Sequence, residues 1–467
     1  MSTPRPELPL ATPSEVGVDA AGVLAFLDTL TGAADQELHS VALLRHGRVC
    51  ARGWWDPYSP DDATLLYSLS KSFTSTAFGF AVAEGLLALD DRVVDRLPPA
   101  GAVGPRTAAM TLRDLAAMAS GHHTDTLDDP RFREADDPAL GFLTIEPESD
   151  PGTVFAYNNP ATYTLGAVLQ AVTGTTLTEY LRPRLFEPLG ITPGSWDQRP
   201  AGREVAFTGL HLTTDALMRF GQLYLDGGRF AGEQVLPDGW TELALALHTP
   251  NPAEPNPDWR QGYGFQFWRG RHGSVRGDGA YGQFVVLLPE QDAVLVVTGG
   301  TQNMQGVLDA AWAHLLPAFD GPVSAGADAA LAARLEHQDL VTDRPDPLAE
   351  VPADQVRVLD VSEVDVSEVD VSEGDGGWTL RLEESGRSME IAVGPGVWRR
   401  TDLALGDGRG ALVAARGSAA GDRLSIDVVL VETPHRLRVV VSPAGTDVVW
   451  HTAPLWRPTI GSLATPR

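Results

Sequence analysis

Apolar residues recur at helical spacing through much of the chain and at strand spacing near its end. In several segments they repeat every three or four residues, which predicts helices with one buried face. Capping residues precede some of these segments and a glycine follows others. One predicted helix starts after Asp19. The others cover Ser70 to Leu89, Thr111 to Met118, Thr162 to Val172, Thr213 to Leu225 and Val307 to Leu316.

Short apolar runs bounded by turn residues predict strands on both sides of the helical region. Val41–Leu44 and Val49–Ala51 enclose a glycine-containing turn and predict a hairpin. Phe284–Leu288 and Ala293–Thr298 predict a second pair of adjacent strands. Strands at both ends with helices between them favour an α+β fold, an antiparallel sheet flanked by helices, over a succession of βαβ units.

The last part of the chain changes to alternation of apolar and polar residues. Residues 320–350 are rich in Ala, Asp and Pro and predict a connector with one helix near 329–336. After Gly377 the alternation predicts a second, all-β domain, either a small barrel or a sandwich. The predicted organisation is a first domain over 1–320, a linker over 321–350 and the all-β domain over 351–467.

A five-residue repeat occupies residues 359–373, with the pattern Val-Asp-Val-Ser-Glu in its second and third copies. A period of five fits neither the strand period of two nor the helical period of 3.6. The repeat therefore predicts a solvated loop. Its acids lack the glycine turn and ordered ligand spacing of a calcium loop, so a calcium site is the weaker interpretation.

Composition excludes several classes of function. The 467 residues carry a formal net charge of −27, which repels nucleic acids and anionic membranes. The chain has no apolar run long enough to span a membrane and no signal-like apolar segment at its start. We therefore expect no membrane partner and a cytoplasmic location. The single cysteine, Cys50, excludes an intrachain disulfide and a cysteine zinc site.

The strongest chemical signal is Ser68-Leu69-Ser70-Lys71, at the start of a predicted helix. Residues three apart share a helix face, so the Ser68 hydroxyl and the Lys71 amine can meet. A lysine with a lowered pKa can take the serine proton and make the hydroxyl a nucleophile. This spacing also occurs by chance, but here the lysine interrupts an apolar helix, which is costly without a partner.

Two further motifs carry candidate chemistry. Tyr157-Asn158-Asn159 offers a phenol to shuttle a proton and an asparagine to hold an amine; its alternative interpretation is a hydrogen-bonded loop. Gly277-Asp278-Gly279 precedes Ala280 and a predicted strand. Its glycines would let a substrate lie along the strand edge, and its alternative interpretation is a tight turn.

An ordered set of motifs over roughly residues 10–320 resembles the serine β-lactamase and penicillin-recognising family, and most closely its class C-like branch with D-alanyl carboxypeptidases and family VIII esterases. The resemblance implies a β-lactamase/transpeptidase-like fold, in which a helical subdomain interrupts the sheet domain and the site lies in the cleft. The motifs are Tyr67-Ser-Leu-Ser-Lys-Ser-Phe, Glu84-Gly-Leu-Leu-Ala-Leu-Asp-Asp, Thr111-Leu-Arg-Asp-Leu, Met118-Ala-Ser-Gly, Pro151-Gly-Thr-Val-Phe-Ala-Tyr-Asn-Asn and Leu185-Phe-Glu-Pro-Leu-Gly-Ile.

The resemblance also implies a role for each motif residue. Ser68 is the acylated nucleophile, Lys71 is its base or base partner, and Tyr157 is the general acid and base. Asn159 holds Lys71 and the substrate. The backbone N–H groups of Ser68 and Ala280 form the oxyanion hole. Which of Lys71 and Tyr157 takes the first proton stays open at this point.

The third motif departs from the family pattern, which usually begins with Lys or His. Here the substrate-binding triplet is Gly277-Asp278-Gly279, so the cation that would meet a substrate carboxylate is absent and an acid lies beside the gap. Arg276 is a candidate replacement, although a strand side chain points away from the face of its neighbour. The departure favours esters and carboxylate-free amides over β-lactams and D-alanyl peptides. A cationic substrate is a further hypothesis for Asp278.

His122 is predicted to border the cleft and contact the substrate. With His123 and Asp125 it has the composition of a metal cluster, but adjacent histidines on a loop point apart, so we expect no metal. The sequence predicts a serine hydrolase that acts through an acyl-enzyme on small-molecule esters or amides, with no cofactor.

Two alternatives remain from the sequence. One is a D-amino-acid peptidase or β-lactamase with the same chemistry, and the other is a non-catalytic binding protein on this fold. A third possibility gives the all-β domain its own role, either in assembling copies of the chain through its edge strands or in capping the cleft.

Overall fold

A computed structural model describes residues 7–342, 366–374, 376–406, 408–456 and 459–466. Of the helices in these ranges, none is long and apolar enough to span a membrane. The α-helices are α1 (Ala20–Gly32), α2 (Ser70–Ala83), α3 (Val93–Arg96), α4 (Pro105–Ala109), α5 (Leu112–Ala116), α6 (Pro130–Arg133), α7 (Pro138–Phe142), α8 (Asn159–Thr173), α9 (Leu177–Leu181), α10 (Glu187–Leu189), α11 (Thr214–Leu225), α12 (Trp240–Leu245), α13 (Met304–Ala310) and α14 (Ala327–Glu336).

The strands divide between two large sheets and two small ones. They are β1 (Leu38–Arg45), β2 (Arg48–Asp56), β3 (Thr64–Leu65), β4 (His211–Leu212), β5 (Arg229–Phe230), β6 (Glu233–Gln234), β7 (Trp268–Arg269), β8 (Val275–Gly279), β9 (Gln283–Leu288), β10 (Ala293–Gly299), β11 (Gln338–Asp339), β12 (Val366–Gly374), β13 (Gly377–Glu384), β14 (Arg387–Pro395), β15 (Arg399–Gly406), β16 (Arg409–Ala420), β17 (Arg423–Leu430), β18 (Arg436–Ser442), β19 (Gly445–Thr452) and β20 (Thr465–Pro466).

The helices follow the predicted pattern, although several of them begin or end at other residues than predicted. α2 ends at Ala83 instead of Leu89, because Gly85 adopts a φ of +71° and turns the chain out of the helix. α8 begins at Asn159, earlier than predicted, and ends at Gly174 as predicted. The first turn of α8 therefore carries one of the candidate site residues.

The first large sheet has the strand order β11-β2-β1-β10-β9-β8-β7. The predicted hairpin forms as β1 and β2, and β9 and β10 pair antiparallel as predicted, with Val285 opposite Val296. β11 pairs parallel with β2, so the sheet is mixed rather than purely antiparallel. Strands at both ends of the chain segment with helices between them confirm the α+β class.

By Cα proximity the chain divides into two compact units, and the first comprises Met1–Val16, Ala42–Ala51 and Leu66–Val297. Its core holds the buried faces of α2, α8 and α11. Phe73 of α2 stacks on Phe220 of α11, with 4.0 Å between the ring centroids. This packing fixes the position of α2, which follows directly on Ser68.

The second unit comprises Gly17–Val41, Arg52–Leu65 and Thr298–Arg467. It contains a nine-stranded sheet with the path β12-β13-β14-β16-β17-β18-β19, and β15 and β20 both pair with β16. Alternate residues of these strands form a separate apolar core, as the pattern predicted. The predicted all-β region is confirmed.

The predicted domain boundaries stay predictions, because residues 343–365 lie outside the described residues. The described part of the predicted linker holds α14, which includes the helix predicted near 329–336, and the short strand β11.

The loop predicted for the five-residue repeat is wrong for its third copy, which lies in β12 and pairs with β13. Val369 and Val371 are half-buried against the apolar core, whereas Asp370 and Ser372 are exposed. Within one copy, Val-Asp-Val alternates with period two, so a single copy can form a strand even though three copies cannot share one face. The first copy lies outside the described residues.

Candidate active site

Ser68 lies in a short 3₁₀ turn, Tyr67–Leu69, that leads into α2. The residue before it, Tyr67, is buried and has a φ of +47°, which is strained for a side chain of this size. Such strain concentrates where surrounding structure forces a functional geometry. Here the turn leaves Ser68 half-exposed at the start of an otherwise buried helix.

Lys71 is buried, and its amine has three acceptors within the first unit. The Nζ lies 2.9 Å from Ser68 Oγ, 2.8 Å from Asn159 Oδ1 and 2.9 Å from the carbonyl oxygen of Phe207. The structure thus brings together the serine, the lysine and the asparagine that the sequence motifs singled out. Three acceptors match the three N–H donors of an ammonium group.

The pKa of Lys71 lies at about 7, far below its ordinary value, because burial disfavours the charged ammonium. The carboxylates of Asp125 and Asp278 oppose this effect and raise the pKa. A lysine poised in this way can lose and regain a proton near neutral pH.

Tyr157 lies beside the same pair, and the Ser68 side chain is among the groups that lower the pKa of its phenol. Its ring centroid lies 4.8 Å from Lys71 Nζ, and the ring stacks on Trp268 at 5.2 Å. Burial and the negative charge of Asp278 raise the pKa of the phenol well above its ordinary value. The hydroxyl is therefore a proton donor at neutral pH.

Tyr157 lies in a cluster of aromatic side chains. Trp268 packs against Tyr263 with 4.7 Å between centroids and against Phe155 with 5.6 Å. Phe267 belongs instead to the core, where it contacts Tyr224. Tyr263 and Trp268 thus lie beside Tyr157, whereas Phe267 lies in the core.

Asp125 is a site residue that the sequence interpretation missed. Its Oδ2 accepts from Asn159 Nδ2 at 2.7 Å, and its Oδ1 accepts from the Asn159 backbone N–H at 3.0 Å. It was considered only as part of a metal cluster with His122 and His123. Its local sequence gives no signal of this contact, because Asn159 lies 34 residues further along the chain.

The glycines of the third motif lie against the turn that carries the nucleophile. A Cβ on Gly279 would lie 2.0 Å from the Leu66 carbonyl oxygen, and one on Gly277 would lie 2.4 Å from Leu69 and 2.7 Å from Ser72 Oγ. Glycine is needed here for the close approach of β8 to this turn. Both glycines are buried in β8 rather than in the tight turn of the alternative interpretation.

Asp278 faces the opposite side of β8 from these glycines and pairs with Arg276. The Arg276 Nε donates to Asp278 Oδ2 at 3.0 Å, and both side chains are buried. Arg276 also lies over the Trp259 ring at 4.5 Å. The charge of the Asp278 carboxylate is therefore balanced by Arg276 of the same strand. A cationic substrate is not needed to explain why an acid occupies this position.

The two predicted oxyanion donors are the backbone N–H groups of Ser68, before α2, and of Ala280, directly after β8. Among the described residues, neither the Ser68 N–H nor the Ala280 N–H donates a hydrogen bond. The Ala280 carbonyl accepts from Gln283 Nε2 at 3.2 Å, which orients that peptide. The next residue, Tyr281, has a φ of +65°, and its ring lies 5.7 Å from that of Tyr67. A strained tyrosine thus adjoins each predicted donor.

The structure does not bring His122 to this group. The ring is buried, with Nδ1 3.0 Å from Ser120 Oγ and Nε2 3.0 Å from the Ile145 carbonyl oxygen. Both ring nitrogens have partners within the fold. The substrate contact of His122 stays a prediction. Across the described ranges, no group of three or more metal-ligating side chains is placed to hold an ion.

Comparison with known proteins gives a consistent result. The profile of the Beta-lactamase family matches residues 29–317. The chain is similar to the 6-aminohexanoate-dimer hydrolase of Paenarthrobacter ureafaciens, with 29% identity over 314 residues that span 61% of this chain and 79% of that protein.

Solved structures share the fold. EstCE1, a hydrolase with promiscuous acyltransferase activity, superposes with a TM-score of 0.51 at 17% identity and covers 62% of this chain and 98% of its own. SurE with D-Leu superposes with a TM-score of 0.51 at 18% identity and covers 96% of this chain and 98% of its own. The implied β-lactamase/transpeptidase-like fold with an additional C-terminal all-β part is thereby confirmed.

Proposed function

The chain belongs to the β-lactamase family of serine hydrolases, and we propose that Ser68 is the nucleophile of its acyl-transfer reaction. The observation that carries this proposal is the 2.9 Å contact between a half-exposed serine hydroxyl and the buried amine of Lys71. Its neighbours supply the other groups that acyl transfer needs, a proton donor and a set of backbone N–H donors.

The contacts of Lys71 support it as the first base. A neutral amine has two N–H donors and one lone pair. The Asn159 Oδ1 and the Phe207 carbonyl oxygen only accept, so they take the two N–H groups. The lone pair then faces the third neighbour, Ser68 Oγ, whose hydroxyl donates to it. Tyr157 keeps its proton at neutral pH and serves as the acid.

The reaction proceeds in two steps. Ser68 Oγ attacks the substrate carbonyl carbon and its proton passes to Lys71. The bond to the alcohol or amine then breaks, the leaving group takes a proton from Tyr157, and Lys71 returns a proton to the phenol. Water attacks the resulting ester, restores the hydroxyl of Ser68 through the same pair, and releases the acid. One water is consumed, and no cofactor takes part in these steps.

The oxyanion of each tetrahedral intermediate would be stabilised by the N–H groups of Ser68 and Ala280. Preorganised backbone donors of this kind stabilise developing charge without reorganisation during the reaction. The strained neighbours, Tyr67 and Tyr281, support this assignment because their backbone geometry orients the adjoining peptides.

The substrate class follows from the third motif. Arg276 is committed to Asp278 and is fully buried, so it does not replace the missing cation of the family motif. A substrate carboxylate would find no exposed cation on β8, because Arg276 is fully buried. The aromatic cluster beside Tyr157 suits an apolar acyl or leaving group. We therefore propose esters and carboxylate-free amides as substrates.

Matched substrates test this proposal. Phenyl acetate and acetanilide carry no carboxylate, the monophenyl ester of succinic acid carries one, and benzylpenicillin represents β-lactams. We expect kcat/KM for the carboxylate-bearing ester to be at least about 10-fold below that for phenyl acetate. Loss of all turnover in Ser68→Ala, with turnover intact in Ser75→Ala, assigns the nucleophile; the Ser75 hydroxyl is buried and makes no hydrogen bond in the described structure. Preference for benzylpenicillin would favour the β-lactamase alternative.

Two properties of the whole protein stay proposals. We propose a cytoplasmic location. We also propose that copies of the chain assemble through the edges of the nine-stranded sheet, because its outer strands β12 and β19 each have one unpaired edge among the described strands. Size-exclusion chromatography of the full chain tests the assembly, and a monomer at micromolar concentration would contradict it.

A further inference from the structure

We propose that Asp125 is a positioning residue that fixes the amide of Asn159 and thereby directs the lone pair of Lys71 at Ser68. The inference rests on the proposed function, because it assigns a device that serves the serine nucleophile. It concerns a residue outside the motifs that carry the family resemblance.

The geometry of Asp125 is bidentate toward a single residue. One carboxylate oxygen accepts from the side-chain Nδ2 of Asn159 at 2.7 Å and the other from its backbone N–H at 3.0 Å. The backbone N–H of Leu127 donates to the same carboxylate at 3.1 Å and holds it in place. The side-chain amide at the start of α8 is therefore held from one side by a group that only accepts.

This contact decides which end of the Asn159 amide faces Lys71. With Nδ2 bound to the carboxylate, Oδ1 must point at the amine, where it accepts at 2.8 Å. A flipped amide would place two N–H donors against the lysine donors and an oxygen against the Asp125 carboxylate. Both contacts would be repulsive, so the carboxylate selects one amide orientation.

The amide orientation in turn sets the direction of proton transfer. Oδ1 and the Phe207 carbonyl oxygen take the two N–H groups of the neutral amine and leave its lone pair for Ser68 Oγ. Without the Asp125 contact, the amide of Asn159 can rotate and the lone pair can turn to another neighbour. Acylation would slow even though serine and lysine were both present.

Asp125 also acts on Lys71 through its charge. The charged groups that act on the amine are Asp125 on its loop and Asp278 on β8. Its neutral neighbours are Ser68, Asn159, the Phe207 carbonyl and the Tyr157 ring. Asp278 is compensated by Arg276, whereas Asp125 takes part in no ion pair among the described residues. Its charge favours the ammonium form of Lys71 and raises the pKa of that amine.

The pH dependence of fluorophosphonate labelling tests the inference. In this reaction the Ser68 Oγ–P bond forms, the P–F bond breaks, fluoride leaves, and the hydroxyl proton passes to Lys71. The second-order labelling rate of the full chain is measured from pH 5 to 9 for the native protein, Asp125→Ala and Asp125→Asn. Asp128→Asn is the control, because that carboxylate lies on the same loop, is largely exposed and has only a 3.7 Å contact to Arg133.

We expect Asp125→Ala to lower the high-pH rate by about 10- to 100-fold, the usual cost of a misplaced catalytic group. Asp125→Asn keeps one acceptor and should recover part of that rate. In both variants the midpoint of the acid limb should move to lower pH, because the charge that favours the ammonium is gone. The control should match the native profile.

Each outcome separates the two proposals. If the native protein is labelled and Asp125→Ala shows the native rate and midpoint, the positioning role is wrong and the nucleophile stands. A slower rate with an unmoved midpoint and no recovery in Asp125→Asn would indicate a merely structural role and overturn the inference. If the native protein is not labelled at any pH, the proposed function itself fails.

Discussion

Arg276 and Asp278 form a buried ion pair two residues apart on one strand, with 3.0 Å between the Arg276 Nε and the Asp278 Oδ2. The pair flanks Gly277 on β8, and it explains how an acid is accommodated near Lys71. Because neither side chain is exposed, each depends on the other for its stability.

Replacing one partner should therefore be costly. We expect Arg276→Met to lower the free energy of unfolding by about 3–5 kcal/mol, because Asp278 would remain buried without its cation. The double variant Arg276→Met/Asp278→Leu should recover most of the loss. Urea unfolding followed by tryptophan fluorescence measures both. Equal stability of the single variant and the native protein would show that the ion pair contributes nothing.

The pKa of Lys71 predicts how activity depends on pH. In the proposed mechanism the neutral amine of Lys71 is the base, and its pKa of about 7 means that the amine is protonated and inactive below that pH. We expect kcat/KM to fall tenfold for each pH unit below about 7 and to level above it. Lys71→Arg, which stays charged, should lose at least about 100-fold at all pH values. A flat profile from pH 5 to 9 in the native protein would contradict the assignment.

Gly279 should tolerate no side chain. A Cβ there would lie 2.0 Å from the Leu66 carbonyl oxygen, so β8 or the Tyr67–Leu69 turn must move. We expect Gly279→Ala to lower stability by about 1–3 kcal/mol and to slow Ser68 labelling. Gly101→Ala is the control, since no atom lies within 4 Å of its added Cβ. Thermal unfolding and the rate of Ser68 labelling are measured for both variants. Native stability and a native labelling rate in Gly279→Ala would refute the packing argument.

The C-terminal part supplies a partner for a buried acid near the start of the chain. In the second unit, Arg436 Nη2 donates to Glu37 Oε2 at 2.8 Å, and both side chains are buried. A chain that ends at Thr342 would leave Glu37 without this cation. We expect it to be less stable by at least about 3 kcal/mol, and Glu37→Gln in the shortened chain to restore part of this. Native stability of the shortened chain would support an independent first domain.

The sequence predicted the elements of the site that depend on local spacing. Ser68 and Lys71 share a helix face, and Asn159 begins α8, so their types and positions were visible in the motifs. The alternation of strand side chains also placed Arg276 on the face opposite Gly277, which is the face of Asp278. The alternation alone does not predict the ion pair, because it gives the shared face and not the side-chain conformations that bring the two groups to 3.0 Å.

The remaining features depend on packing between distant segments. Asp125 reaches Asn159 across 34 residues, and nothing in its own loop distinguishes it from the acids beside it. His122 appeared free for substrate, but its partners are Ser120 and a carbonyl of residue 145. The third copy of the repeat forms a strand because β13 offers it an edge. In each of these three cases the contact depends on a segment that is distant in the sequence. The pattern of a single sequence does not show which distant segments lie together.

The most direct test of the account is to map the residue that a fluorophosphonate modifies. Intact mass after exposure at pH 8, followed by peptide mapping, should show one adduct per chain on Ser68. The adduct should be absent in Ser68→Ala and retained in Ser75→Ala, whose hydroxyl is buried on the same helix. An adduct on another residue, or unchanged modification of Ser68→Ala, would contradict the account.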